Sequence, residues 1–210
     1  MRYENYIWDF DGTLFDTYGS TMKTIEKVFK DHGVNPEMNE IYRDSKEYTL
    51  YYAVENAMNK YGVSDGEFAG NIHSALERID VKERKPFENA EKILAEIIKG
   101  GRNYILTNRN ENTLLPILEF YDFKKYFYDI ITPDTGLESK PDPAMFFHII
   151  KKHNLDIAKT ITVGDRKLDI DAGKATGIKT CLIDFDKFLF DIDYDYKVSN
   201  FAEFGELFLK

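Results

Sequence analysis

From Pro86 onward the chain alternates short β-favouring runs with amphipathic helical runs, and this rhythm limits its fold more than any other feature. Asn103–Thr107, Tyr128–Thr132, Thr160–Val163 and Lys179–Ile183 read as strands. Asn89–Lys99, Asn112–Tyr121, Pro143–His153 and Asp169–Thr176 read as helices, with Gly100-Gly101 and Gly177 as stops. Pro116 is taken to lie near enough to the start of its helix to be tolerated. Strands joined through helices run parallel, so the expectation is an α/β fold with helices on both faces of a parallel sheet.

One more strand precedes this series. Tyr3–Phe10 is rich in β-favouring residues, ends near Asp9 and breaks at Gly12. Thr17–His32 then carries Met22, Ile25, Val28 and Phe29 at helical spacing, and Gly33 stops it. The pattern stays helical to about Lys85 and includes Tyr48, Tyr51 and Tyr52, which are expected to fill the interior of this block. Because the block separates the first strand from all the others, residues 1–15 and 86–210 are expected to form one α/β domain, with 16–85 as a helical insertion. Near the end, Asp184, Asp186, Asp191, Asp193 and Asp195 alternate with Phe and Tyr. Their spacing and lack of glycine do not fit a calcium-binding helix–loop–helix, so this stretch reads as a solvated loop beyond the last strands.

With 43% hydrophobic residues in 210, the chain can bury one substantial core and a smaller second one. Its 37 acidic against 28 basic residues give a net charge of −9, which argues against a nucleic-acid-binding scaffold. Cys181 is the single cysteine, so an intramolecular disulfide is excluded and a reducing compartment is expected. The first residues lack the basic and apolar blocks of a signal peptide, and no apolar run approaches the roughly 20 residues needed to span a bilayer. The expected protein is cytoplasmic, without membrane or nucleic-acid partners, and a monomer or weak homodimer.

Chemistry concentrates where the strands end. Asp9-Phe10-Asp11-Gly12-Thr13 closes the first strand, and residues two apart on extended chain point the same way, so both carboxylates are placed to meet one ligand. Two close carboxylates resist ionising together, which calls for a metal or a retained proton. Leu106-Thr107-Asn108 ends a second strand with a hydroxyl and an amide. Lys140-Pro141-Asp142-Pro143 sets a lysine just before a helix. Val163-Gly164-Asp165-Arg166-Lys167-Leu168-Asp169 ends a further strand with two more acids. In an open α/β sheet the carboxyl ends of strands are where ligands bind. An anionic substrate in so acidic a chain would need a bound cation and a local lysine to reverse the field.

This ordered set resembles the four motifs of the haloacid dehalogenase-like superfamily. Asp9-x-Asp11-Gly12-Thr13 is similar to the first motif, Thr107 to the second, Lys140 to the third, and Asp165 with Asp169 to the fourth. The helical block resembles the cap of the phosphoglycolate phosphatase and β-phosphoglucomutase branch. The resemblance implies a Rossmann-like, doubly wound parallel sheet with an inserted helical cap, and a magnesium-dependent phosphatase. It implies that Asp9 attacks phosphorus to give an aspartyl-phosphate. Asp11 would be general acid and then base, its proton affinity raised by the neighbouring carboxylate. Magnesium would be held by the Asp9 carboxylate, the Asp11 backbone carbonyl and Asp165, with Asp169 in support. Thr107, Asn108 and Lys140 would attend the phosphoryl group. Arg166 departs from the small or hydroxylated residue common after the metal-binding aspartate.

A small phosphorylated metabolite, phosphoglycolate-like or a sugar phosphate, is the implied substrate. Asp11 argues against a dehalogenase, while a phosphomutase shares every core motif and remains the alternative. A binding or regulatory module on the same scaffold is opposed by the intact Asp9, Asp11, Lys140 and Asp165. In the cap, Lys46 falls roughly where mutase relatives carry an arginine for a second phosphate, and Arg43 lies nearby, although a solvated helix face is the plainer reading of this stretch. Lysine offers a point charge there but no planar fork.

Overall fold

A computed structural model describes residues 2–63, 66–188 and 191–210. Ser64 and Asp65 in the expected helical block, and Leu189 and Phe190 in the acidic stretch, lie outside the described residues. The chain divides into two compact units, Met1–Phe15 with Pro86–Lys210, and Asp16–Lys85.

The first unit holds a six-stranded sheet of β1 (Asn5–Trp8), β4 (Arg102–Leu106), β5 (Phe127–Ile131), β6 (Thr160–Gly164), β7 (Lys179–Ile183) and β8 (Tyr196–Val198). Their order is β5-β4-β1-β6-β7-β8, and each neighbouring pair is parallel. Strand β1 sits in the middle, with the chain built outward first through β4 and β5 and then through β6 to β8. The helices of this unit are α5 (Ala90–Ile97), α6 (Glu111–Phe120), α7 (Ala144–His153), α8 (Lys167–Lys174) and α9 (Phe201–Phe208).

Period-two alternation on β1 explains why both faces must be covered. Ile7 joins Tyr104, Leu106 and Ile131 in a core with Met145, Phe146 and Ile149 of α7 and Ala172 of α8. Tyr6 and Trp8, pointing the other way, pack on Phe204 of α9, with ring centres 6.1 and 5.0 Å apart. On that face Asn103 is buried and hydrogen-bonded throughout. Its Oδ1 accepts from Trp8 Nε1 at 2.9 Å, and its Nδ2 donates to the Leu94 carbonyl of α5 at 3.1 Å. A buried amide so used stabilises one register of sheet and helix.

The second unit is helical: α1 (Tyr18–Asp31), α2 (Met38–Glu47), α3 (Leu50–Tyr61) and α4 (Gly66–Glu77). Ile25, Val28, Phe29, Ile41, Ala53, Ala57, Met58, Phe68 and Ile72 form its own core. The chain passes between the units at β2 (Phe15–Asp16) and β3 (Lys85–Pro86), which pair as a two-stranded sheet. Among the described residues, no helix is long and apolar enough to cross a membrane.

Two expectations need correction. Tyr48, Tyr51 and Tyr52 do not fill the helical core but are exposed. Thr49 caps α3 by accepting from the Tyr52 N–H, and the inward positions of that helix go to Ala53, Ala57 and Met58. The late acidic stretch is not wholly a solvated loop, because it leads into β8. The Asp195 carboxylate accepts from the Thr180 N–H at 3.0 Å and pairs with Lys179 at 2.5 Å, seating the sixth strand on β7. Pro116 lies in the second turn of α6, and the helix runs through it as expected. It survives there because the carbonyl it leaves without an amide belongs to exposed Asn112.

Candidate active site

Three adjacent strands deliver the site. Asp9 follows β1, Thr107 follows β4 and Asp165 follows β6, and these strands neighbour one another in the order β4-β1-β6. The ladder carries one residue further on each side, with the Asp9 N–H donating to the Val163 carbonyl at 2.9 Å and the Thr107 N–H to the Ile131 carbonyl at 3.1 Å. The chain then turns sharply at Gly12, whose φ of 80° favours glycine, and the Gly12 N–H bonds the Phe15 carbonyl at 2.8 Å.

Lys140 is the centre of the site. Its Nζ donates to Asp9 Oδ1 at 2.7 Å, Asp169 Oδ1 at 2.5 Å and the Leu106 carbonyl at 3.0 Å, which uses all three ammonium protons. Asn108 holds the backbone of that lysine, accepting its N–H at 2.9 Å and donating to its carbonyl at 2.8 Å. The amide expected to attend the phosphoryl group is thus the clamp that positions Lys140. Thr13 Oγ lies 3.1 Å from Asp9 Oδ2 and 3.0 Å from Asp165 Oδ1, so its one proton joins the first-strand acid to the fourth-motif acid. Asp169 Oδ2 accepts the Arg166 N–H at 3.1 Å, at the start of α8. Gly164 makes this approach possible, since a Cβ there would lie 2.3 Å from the Cβ of Asp169.

Charge in this cluster does not balance. Asp9, Asp165 and Asp169 are buried, and one oxygen from each lies within 4.8 Å of the others, with buried Lys140 among them. Burial pushes the Asp9 carboxyl up to about 7; Asp169 and Asp165 push the same way and outweigh Lys140 and Arg166. Burial alone would lower Lys140, but Asp169 and Asp9 overcome it and hold the ammonium above its ordinary range. Three buried carboxylates sharing one lysine form an oxygen-only set of the kind a hard divalent cation takes. The residues therefore fit a metal of that class.

Asp11 is arranged differently from the sequence expectation. Its carboxylate is not in the three-acid group but in the fork of Arg109, with Nε 2.9 Å from Oδ2 and Nη2 2.6 Å from Oδ1. Proton affinity is raised at Asp9, which is buried among acids. Arg109, like Thr13, was not singled out from sequence as a site residue. In the helical unit Lys46 is not on a solvated face but buried, with its Nζ 4.8 Å from the ring centre of Tyr18 and 5.9 Å from that of Tyr42.

The model of the haloacid dehalogenase-like hydrolases matches residues 6–183, a span that takes in every residue of the cluster. The chain belongs to the haloacid dehalogenase-like hydrolase family. Its curated relatives include a phosphoglycolate phosphatase of Pseudomonas fluorescens, 26% identical over 186 residues that cover 85% of this chain and 68% of that one. An N-acetylmuramic acid 6-phosphate phosphatase of Pseudomonas putida is 27% identical, covering 87% and 83%. Among solved structures, a haloacid dehalogenase-like family hydrolase of Streptococcus pneumoniae superposes with a TM-score of 0.80 at 20% identity, over 98% of each chain. YfnB of Bacillus subtilis, solved bound to magnesium, gives 0.76 at 19% identity over 99% of each. The chain is a phosphatase of this family, in its phosphoglycolate phosphatase-like branch.

Proposed function

We propose that this phosphatase hydrolyses a small phosphorylated metabolite through an aspartyl-phosphate on Asp9, with magnesium as its metal. The observation that carries the reading is Lys140, held between Asp9 and Asp169 in a cluster still short of positive charge. Asp9, the Asp11 carbonyl and Asp165 would hold magnesium, with Asp169 in support. Bound there, the ion would supply the positive charge that lets an anionic phosphoryl group approach an anionic nucleophile.

The remaining steps fall to side chains. A carboxylate oxygen of Asp9 forms the bond to phosphorus as the ester oxygen leaves. Asp11 hands a proton to that oxygen and later takes one from the water that frees the phosphate. Thr107 and Lys140 hold phosphoryl oxygens, and Asn108 keeps Lys140 in place. The helical unit sets substrate choice, with Lys46 as its cation. Relatives acting on phosphoglycolate and on N-acetylmuramic acid 6-phosphate support a small phosphorylated acid as substrate. The single cysteine and the acidic charge favour a cytoplasmic setting without nucleic acid.

The test is direct. Purified protein with magnesium is expected to hydrolyse p-nitrophenyl phosphate, to stop on addition of EDTA, and to fall below about a thousandth of its rate in Asp9→Asn. Wild-type turnover in that variant would remove Asp9 as the nucleophile. A panel of phosphoglycolate, sugar phosphates and nucleotides, read for both phosphate release and isomerised product, separates hydrolysis from mutase chemistry.

A further inference from the structure

Arg109 is a strong signal at this edge that the strand-end motifs do not account for. It stands two residues past Thr107, and its Nε and Nη2 grip both oxygens of Asp11, at 2.9 and 2.6 Å. This is the planar, two-point grip that arginine offers and lysine does not. With side-chain exposures of only 15% for Arg109 and 21% for Asp11, the pair is not one that solvent screens into insignificance. The rest of Arg109 is fixed as well. Its backbone N–H donates to Thr107 Oγ at 3.1 Å, and its guanidinium carbon lies 5.8 Å from the centre of the Phe10 ring.

The grip conflicts with the work proposed for Asp11. A carboxylate with both oxygens turned into one guanidinium has neither aimed at a leaving oxygen. Withdrawing Asp11 would separate a mostly buried, two-point ion pair, and such separations are costly unless another anion enters. A substrate can bring that anion. Because Arg109 is anchored to Thr107, which attends the phosphoryl group, the replacing charge must lie only a few atoms from the ester.

We infer that Arg109 is a carboxylate-exchange residue: an acidic group on the substrate takes the fork from Asp11, and the released Asp11 carboxylate takes up a proton from water and passes it to the leaving oxygen. The inference rests on the phosphatase reading above and narrows it to short phosphorylated acids, in which one or a few carbons separate the carboxylate from the phosphate ester. An ester with an uncharged tail still binds through its phosphate but leaves the fork on Asp11. The substrate carboxylate therefore acts on turnover and not only on affinity, because its gain is realised as the reacting arrangement assembles.

Wild type, Arg109→Gln and Arg109→Lys are to be assayed with magnesium on phosphoglycolate and on ethyl phosphate, which has the same two-carbon chain without the carboxylate. Wild type is expected to turn over phosphoglycolate at least about tenfold faster in kcat. In Arg109→Gln, kcat for phosphoglycolate is expected to fall about tenfold while kcat for ethyl phosphate rises about threefold, since Asp11 is released without exchange. Changes of opposite sign cannot come from damage to the fold. Arg109→Lys should fall between, because a point charge grips either carboxylate less well. Equal losses on both esters, or an unchanged ratio between them, overturn the inference. If wild type hydrolyses neither ester, the phosphatase reading fails on its own. Calorimetric titration of the two esters into the same proteins then decides the exchange. A preference for phosphoglycolate that disappears in Arg109→Gln supports it, and equal affinity in wild type overturns it.

Discussion

The catalytic edge of the α/β unit and the helical unit handle charge in different ways. At the edge, Asp9, Lys140, Asp165 and Asp169 are all buried, and each is held by another of the four, by Thr13 or by a backbone group. In the helical unit the interior is almost wholly apolar, while Tyr48, Tyr51 and Tyr52 face outward and buried Lys46 rests over tyrosine rings. A buried ionic cluster tolerates few substitutions, because removing any member strands the others. A helical core asks only for apolar residues at the right spacing and leaves its surface open to variation. On the function proposed above, chemistry is fixed at the sheet edge, and specificity has room to change in the helices.

The sharpest way to break this contrast is to remove Lys140. Lys140→Ala leaves three buried acids without their cation, and a loss of about 3–5 kcal/mol in urea unfolding at pH 8 is expected. Activity should fall about a thousandfold; a variant as stable as wild type would show that the cluster is not interdependent. A somewhat smaller effect is expected from Gly164→Ala, whose Cβ forces Asp169 away from the edge. Overpacking of this kind destabilises by about 1–3 kcal/mol, and a normal melting temperature with full activity would show that Asp169 can move freely.

Proton linkage sharpens the comparison further. In the folded, metal-free chain the Asp9 carboxyl is raised from 3.8 to about 7. Its contribution to stability is complete below pH 4 and disappears as pH rises through 7, because only the unfolded chain ionises readily over that window. Asp9→Asn should therefore gain on wild type by more than about 1 kcal/mol between pH 4 and pH 8 in chelated buffer. A constant difference across that range would deny the raised affinity. The smallest effect belongs to the helical unit. Tyr51→Ser, at a side chain 77% exposed, should alter stability by less than about 0.5 kcal/mol. A larger loss in thermal unfolding would place that tyrosine in the packing after all.

Much of the edge was legible because strands and acids recur together. Asp9, Thr107 and Asp165 each stand just past a run of β-favouring residues, so their convergence follows from a parallel sheet alone. The Arg109 grip was not legible, since its partner lies 98 residues away and an arginine in a loop after Thr-Asn has no periodic mark. The Thr13 bridge to Asp165 spans 152 residues for the same reason. Strand β8 was missed because three residues cannot show alternation, and what seats it is a side chain, Asp195, acting on the neighbouring strand. The tyrosines of the helical unit misled because aromatic residues signal burial on average, whereas a cap at Thr49 set the rotation of α3.

The pairing of β2 with β3 gives the inserted unit an unusual standing in the history of the chain. The two strands pair as a small sheet, with the Phe87 N–H donating to the Leu14 carbonyl at 3.0 Å, and the helices between them carry a hydrophobic core of their own. The entropy of closing a loop rises only slowly with its length, so helices can be added, lost or exchanged between those two points with little effect on how readily the sheet closes. If the helices set substrate choice as proposed, such a gene can acquire a new specificity by replacing one continuous segment, without re-evolving Asp9 and its neighbours.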